Sequence, residues 1–220
     1  MLEAAVATRP VSPEPYAAFA RRHLETGQAG PALAVTSQGL ARFPADTALL
    51  AAQAVAAAAA GDTGISAILL DFDRLLSRID VAAPTGWKSV AAFNAALADH
   101  PLESAHPFLA RIPDRFGLNI WSINLQQAGH QVPHIHSAAW LSRVYYPQLP
   151  PVIGEDDQAG WIEFGQPPEQ IACGRDPDVL LIRPKEGLML LFPSYMYHRT
   201  IPFPGDGTRI SIAFDVSLVS

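Results

Sequence analysis

Residues 188–203 read LMLLFPSYMYHRTIPF, two short runs of strand-forming residues joined around His198. Five further runs of this kind follow Pro113: FGLNIWSINLQ (116–126), WLSRVYYPQL (140–149), GWIEFG (160–165), DVLLIRP (178–184) and TRISIAFDVSL (208–218). Pro and Gly residues separate them, and no helical pattern of 10–15 residues lies between them. Seven or so short strands without intervening helices favour an antiparallel sandwich or a jelly-roll barrel over a parallel sheet.

The first half of the chain has a different composition. From Pro13 to about His100 it is rich in alanine and poor in β-branched runs. The pattern predicts four helices, over Tyr16–Gly27, Pro31–Phe43, Thr47–Gly61 and Thr63–Arg78. The spacing of small and aromatic residues between positions 27 and 61 resembles about one and a half tetratricopeptide repeats. A plain alanine-rich helical hairpin explains the same pattern, and the sequence does not separate the two.

Composition excludes several classes of protein. The 220 residues carry a formal net charge of −6 and hold no block of Lys and Arg, so we expect no nucleic-acid or membrane partner. A single cysteine, Cys173, excludes an internal disulfide framework and suits a reducing cytoplasm. Met1–Thr8 shows no signal-peptide pattern, and the apolar run Leu49–Ala60 is too short to cross a bilayer. These features predict a cytoplasmic protein.

Three of the seven histidines fall within HQVPHIHSAAW, residues 130–140. His134 and His136 are two residues apart, so in extended backbone both imidazoles lie on one face and can approach one ion. His198 supplies a third candidate ligand, and Arg209 follows eleven residues later. An arginine binds carboxylates in a bidentate fork, and iron(II) oxygenases need three ligands that leave positions open. The alternatives are a polar surface loop and a surface-strand arginine.

The chain resembles the Fe(II)- and 2-oxoglutarate-dependent oxygenase superfamily, most closely a bacterial group often joined to tetratricopeptide-like helices. The resemblance covers about Asp71 to Val216. Six segments in order carry it: LDFDRLL (70–76), GWKSVAAFNAALADH (86–100), PHIHSAAWLSRVYY (133–146), GWIEFGQPP (160–168), LMLLFPSYMYHRTIPF (188–203) and RISIAFDV (209–216). It implies an α+β fold in which N-terminal alanine-rich helices pack on a double-stranded β-helix, a jelly-roll or cupin-like barrel. We expect a tetratricopeptide-like segment over residues 1–62 and the oxygenase domain, with its own leading helices, over 63–220.

The resemblance also implies the metal ligands. His134 takes the first position of the superfamily's His-x-Asp motif, His136 stands at the carboxylate position, and His198 matches the distal histidine. The resembled group commonly carries His-x-His here. Three neutral imidazoles nevertheless leave the iron more electron-poor than a carboxylate would.

The co-substrate positions follow in the same way. Arg209 matches the arginine that binds the far carboxylate of 2-oxoglutarate, and the hydroxyl of Tyr146 is expected at the same carboxylate. Asn124 matches a position that tends to face the co-substrate. Arg143 stands where the group usually has glycine, and its side chain points outward or into the pocket.

The implied activity is that of a 2-oxoglutarate-dependent dioxygenase, with Fe(II) and 2-oxoglutarate as cofactors and O₂ consumed. The expected outcome is hydroxylation of a peptide or protein side chain, or of a small molecule. A zinc-dependent cupin-like hydrolase would use the same histidines but needs a general base, and no Glu or Asp lies within the histidine motifs. A non-catalytic protein-interaction module is the other alternative; the presence of all three histidines and Arg209 argues against it. Whether the protein forms a homodimer stays open.

Overall fold

Helices occupy the N-terminal part of the protein and antiparallel strands the C-terminal part. The computed structural model describes residues 6, 10–80, 108, 115–126, 129–154, 157–174 and 176–218. The helices there are α1 (Glu14–Glu25), α2 (Ala29–Leu40), α3 (Thr47–Ala60), α4 (Thr63–Leu69) and α5 (Phe72–Leu75), with a 3₁₀ turn at Glu169–Ile171. The strands are β1 (Ser77–Asp80), β2 (Phe116–Leu125), β3 (Leu141–Gln148), β4 (Ile162–Phe164), β5 (Leu180–Ile182), β6 (Leu188–Pro193), β7 (His198–Thr200) and β8 (Arg209–Leu218).

Aspartate side chains cap the N-termini of α3, α4 and α5. Asp46 begins α3 by accepting a 2.8 Å hydrogen bond from the amide of Leu49, and Gly61 ends it in the left-handed conformation with φ 75°. The predicted helix over Thr63–Arg78 is wrong as a single element. Asp71 caps a new helix after α4, and the chain enters β1 at Ser77.

The strands form two antiparallel sheets. One has five strands in the order β1-β6-β3-β8-β2, and the other has three in the order β5-β4-β7. This is the two-sheet arrangement of a jelly roll. The described strands do not close into a continuous barrel but remain two separate sheets. An isolated bridge between His134 and His198 joins residues 130–136, hereafter the histidine loop, to β7.

The main core joins helices to sheets. Leu50 and Ala54 of α3 belong to one buried cluster with Tyr146 of β3 and Phe192 of β6. The hydroxyl of Thr47 also donates a buried 2.8 Å hydrogen bond to the carbonyl of Ala139, beside the histidine loop. The predicted boundary at residue 62 therefore crosses a shared core, and it stays a prediction.

Two further expectations concern the helices. The segment GWKSVAAFNAALADH (86–100) lies outside the described residues. Among the helices that the structure describes, none has both the length and the apolar character needed to span a bilayer.

Candidate active site

Three histidines meet where the histidine loop pairs with β7. The backbone amides and carbonyls of His134 and His198 exchange two 3.1 Å hydrogen bonds, which place the two rings 4.2 Å apart between centroids. His136 lies on the same side, with its ring centroid 5.2 Å from that of His134 and 5.1 Å from that of His198. One ring nitrogen from each histidine lies within 4.8 Å of the other two. The structure thus brings together the three predicted ligands.

The hydrogen bonds of the rings determine which nitrogen faces the metal. Nδ1 of His134 donates to the carbonyl of Val132 (2.8 Å), and Nδ1 of His198 donates to the carbonyl of Met196 (3.0 Å). Nδ1 of His136 lies 2.8 Å from both carboxylate oxygens of Asp215. Because each Nδ1 faces an acceptor, it carries the proton, and Nε2 keeps its lone pair as the ligand atom.

Burial keeps two of these rings neutral. Desolvation lowers the pKa of His198 well below its ordinary value, and the neighbouring His134 lowers it further. Desolvation also lowers the pKa of His134. A metal ion binds the neutral form, so few protons compete with it near pH 7.

A second group of polar atoms lies buried without partners. Arg209 is 1% exposed, and its guanidinium carbon lies 4.9 Å from the ring centroid of Tyr146. Within the described part of the chain, Nε and Nη1 of Arg209, the hydroxyl of Tyr146 and the hydroxyl of Ser211 have no hydrogen-bond partner. Burial raises the pKa of Tyr146, with Arg209 opposing the shift, so its hydroxyl remains a donor at neutral pH. A buried guanidinium with unpartnered N–H groups can bind an anion in the same cavity.

Both groups line one cavity of about 240 Å³. Its polar wall contains His134, His136, His198, Tyr146, Arg209 and Ser211, and its apolar wall includes Trp121, Ile123, Ile162 and Phe192. A ligand in this cavity can therefore reach a metal ion with one end and the guanidinium with the other.

Residues 119–215 match the family model described as "Putative 2OG-Fe(II) oxygenase". The match covers 97 of the 220 residues and makes this segment similar to that family. The family's enzymes are 2-oxoglutarate-dependent dioxygenases, and Fe(II) and 2-oxoglutarate are the cofactors of this oxygenase domain. Comparison with curated proteins finds no match for the chain.

Several solved structures resemble the oxygenase. HygX from Streptomyces hygroscopicus, with nickel and 2-oxoglutarate bound, is 13% identical over 69% of this chain and 86% of its own, at a TM-score of 0.39. A Pseudomonas putida prolyl-4-hydroxylase is 15% identical over 66% of this chain and 72% of its own, at a TM-score of 0.38. An oxidoreductase of the 2OG-Fe(II) oxygenase family from Burkholderia pseudomallei is 13% identical over 60% of this chain, at a TM-score of 0.36; the alignment spans 59% of that protein.

The side chains of the oxygenase domain fit the cofactors of the family. Three imidazoles on one side of a cavity suit a divalent transition metal and leave room for further ligands. The unpaired guanidinium of Arg209 suits a carboxylate, which Tyr146 and Ser211 can also bind through their hydroxyls.

Two residues named from the sequence lie away from this group. Asn124 pairs with Ile210 in the β2–β8 ladder, whereas Arg209 and Ser211 occupy the alternate positions of β8. Since side chains alternate along a strand, Asn124 is on the opposite face of the sheet from the cavity. Arg143 faces the same way, and its guanidinium lies 4.2 Å over the ring of Phe214. The structure therefore does not bring Asn124 to the site. Arg143 borders the cavity, and its guanidinium lies over Phe214.

Four residues near the site were not predicted from the sequence: Ser142, Ser194, Ser211 and Asp215. Ser211 and Asp215 share the period-two face of RISIAFDV with Arg209, so alternation along that strand was the signal. The two serines are brought to Asp215 only by pairing between strands.

Proposed function

We propose that this protein is an Fe(II)- and 2-oxoglutarate-dependent hydroxylase. Iron is held by Nε2 of His134, His136 and His198, and the far carboxylate of 2-oxoglutarate is held by Arg209 and Tyr146. The observation that carries the proposal is the buried guanidinium of Arg209, whose Nε and Nη1 have no hydrogen-bond partner, in the same cavity as the three histidines.

The roles of the protein groups follow from their contacts. Iron(II) with 2-oxoglutarate supplies the oxidising chemistry, in which O₂ is consumed, succinate and CO₂ are released and one oxygen atom enters a substrate C–H bond. Arg209 and the Tyr146 phenol neutralise and orient the carboxylate. The carbonyls of Val132 and Met196 fix two imidazole rings in the tautomer that presents Nε2. The apolar wall of the cavity excludes water.

For the primary substrate we propose a peptide or protein side chain. The cavity of about 240 Å³ is smaller than the roughly 300–1,000 Å³ typical of pockets that enclose a drug-sized ligand. Since 2-oxoglutarate occupies part of that space, only a small part of a larger substrate, such as one side chain, can enter the cavity. An open groove of about 300 Å³ between residues 42–47 and 137–140 adjoins the histidine loop and supports a polypeptide substrate. A small molecule that fits the remaining space is the alternative.

The hydrolase alternative is less well supported. Asp215 is the described carboxylate in contact with the histidines, but it already accepts hydrogen bonds from His136 and Ser142. Glu163 forms an ion pair with Arg199. These two residues occupy the strand positions next to Phe164 and His198, so their side chains lie on the opposite face of the sheet from His198. A hydrolase also gives no reason for an unpaired Arg209.

The proposal is tested by turnover of 2-oxoglutarate without a primary substrate. Purified protein with Fe(II) and O₂ should release succinate slowly and in a 2-oxoglutarate-dependent manner. His198→Ala should abolish this release, because it removes a ligand. His130→Ala is the matched control: His130 is exposed and lies outside the three-histidine group, so its variant should keep the wild-type rate. Succinate release that survives in His198→Ala, or hydrolysis supported by zinc alone, would refute the proposal.

A further inference from the structure

A chain of buried hydrogen bonds leads from one of the three histidines into the sheet. Asp215 is 9% exposed, and both of its oxygens lie 2.8 Å from Nδ1 of His136. The hydroxyl of Ser142 donates to Oδ1 of Asp215 at 2.7 Å. The Ser142 and Ser194 hydroxyls are 2.8 Å apart, and both residues are fully buried.

The direction of this chain follows from the number of protons. A hydroxyl has a single proton, so Ser142, which donates to Asp215, must accept from Ser194. The imidazole donates to Asp215 as well. All the donors therefore point toward Asp215, which accepts from two side chains and donates to none, as a carboxylate does.

The three histidines consequently differ in their partners. His134 and His198 donate to neutral backbone carbonyls, those of Val132 and Met196. His136 donates to a carboxylate. A carboxylate acceptor makes an imidazole a stronger electron donor to a metal and fixes its ring orientation.

From this asymmetry we infer that Asp215 is a positioning residue that supplies the metal site with its negative charge through His136. The inference rests on the proposed function. A facial site for iron commonly combines two histidines with one carboxylate bound directly to the metal. Here the carboxylate lies one imidazole further from the ion, and the Ser142–Ser194 chain holds it in place.

Cobalt(II) binding to the metal-free protein tests this inference without relying on activity. Asp215→Asn keeps an oxygen acceptor near His136 and removes the charge. We expect it to weaken Co(II) binding by about 10–100-fold and to shift the visible absorption of the bound ion. Asp206→Asn is the matched control, since it is the same substitution at an exposed residue that does not line the cavity, and its Co(II) affinity should equal that of the wild type.

The outcomes separate this inference from the proposed function. Wild-type affinity and an unchanged spectrum in Asp215→Asn would overturn the role of Asp215 and leave the three-histidine site intact. If the wild-type protein takes up no Co(II), the proposed function fails and the inference fails with it.

A measurement on wild-type protein covers the case in which Asp215→Asn does not fold. In the Zn(II)-loaded protein, proton NMR should show the Nδ1–H of His136 further downfield than those of His134 and His198, because its acceptor is charged. Assignment uses the resonance lost in His136→Gln. A His136 proton on Nε2, or one no further downfield than the other two, would contradict the inference.

Discussion

Among single residues, Arg209 is the most informative one in the cavity. Its guanidinium is buried, and Nε and Nη1 have no hydrogen-bond partner in the described structure. Removing a charge from water costs several kcal/mol when no partner compensates. A dicarboxylate that reaches the guanidinium relieves this cost. The affinity for 2-oxoglutarate should therefore depend strongly on this side chain.

Arg209→Ala should weaken 2-oxoglutarate binding and leave the metal content unchanged. The lost contact is a desolvated, charge-assisted pair of about 2–4 kcal/mol, which corresponds to roughly 30- to 1,000-fold in affinity. The 2-oxoglutarate affinity of Arg209→Lys should lie between those of the wild type and Arg209→Ala, since lysine keeps the positive charge but cannot form two parallel hydrogen bonds with a carboxylate. Anaerobic calorimetry on Co(II)-loaded protein measures this, and an unchanged affinity in Arg209→Ala would exclude the assigned role.

His198 should make the stability of the metal-free protein depend on pH. Burial lowers its pKa in the folded state, whereas in the unfolded chain the pKa returns to about 6.5. As the pH falls below about 6.5, the unfolded chain binds a proton that folded His198 does not, so the free energy of unfolding falls. Thermal unfolding should show a lower stability at pH 5.5 than at pH 7.5, and the difference should be smaller in His198→Gln. Equal pH dependence in both proteins would contradict the burial of a neutral ring.

For single residues, the sequence predicted which residue types form the site better than it predicted which way their side chains point. His134, His136, His198, Arg209 and Tyr146 belong to residue types that bind metals or anions, and the structure brings them to one cavity. Asn124 was expected beside them, but its side of the sheet depends on a pairing register that sequence alone does not fix. Asp215 was missed because its partner lies 79 residues away.

At the scale of elements, the close packing of the first three helices depends on Gly39. A Cβ atom at this position would lie 2.9 Å from Cβ of Tyr16 in α1 and 2.9 Å from Cδ1 of Leu49 in α3. The helices can approach closely because glycine has no side chain.

Gly39→Ala should destabilise the protein by about 1–3 kcal/mol, because the three helices must move apart. Gly30→Ala is the matched control in the same helix, where nothing lies within 4 Å of the added Cβ, and it should be neutral or stabilising by up to about 1 kcal/mol. Urea denaturation of both variants measures the difference. Equal stabilities would show that the tight packing at Gly39 is absent.

Helix positions were predictable to within a few residues where caps and alanine runs coincide, as in α3. The break within Thr63–Arg78 was not predictable, because an aspartate such as Asp71 can lie inside a helix or cap a new one. In the structure Asp71 is a cap, since it accepts a hydrogen bond from the amide of Arg74. The short strands were predicted from their composition. Their division into two sheets depends on long-range pairing that periodicity does not report.

On the scale of the whole molecule, the N-terminal helices complete the core of the oxygenase domain. Leu50 of α3 is 1% exposed and lies in one cluster with Tyr146, whose hydroxyl faces the cavity. No candidate metal or 2-oxoglutarate ligand lies before residue 62, yet these helices pack against residues of the site.

Deletion of residues 1–61 should therefore remove cooperative unfolding and tight Co(II) binding together, because it exposes the apolar side of the main core. Leu50→Ala is a milder version and should cost about 2–5 kcal/mol of stability with the metal still bound. Calorimetric melting and Co(II) titration measure both. A truncated protein that melts cooperatively and binds Co(II) like the full chain would show two independent units.

A visible spectrum tests whether iron and 2-oxoglutarate bind together in this cavity. Under anaerobic conditions, 2-oxoglutarate is added to the Fe(II)-loaded protein, and a visible charge-transfer band is sought. We expect a saturable band in the wild type, its loss in His198→Ala, and a need for about 30- to 1,000-fold more 2-oxoglutarate in Arg209→Ala. A wild-type protein that binds Fe(II) and 2-oxoglutarate without forming the band would contradict a shared site.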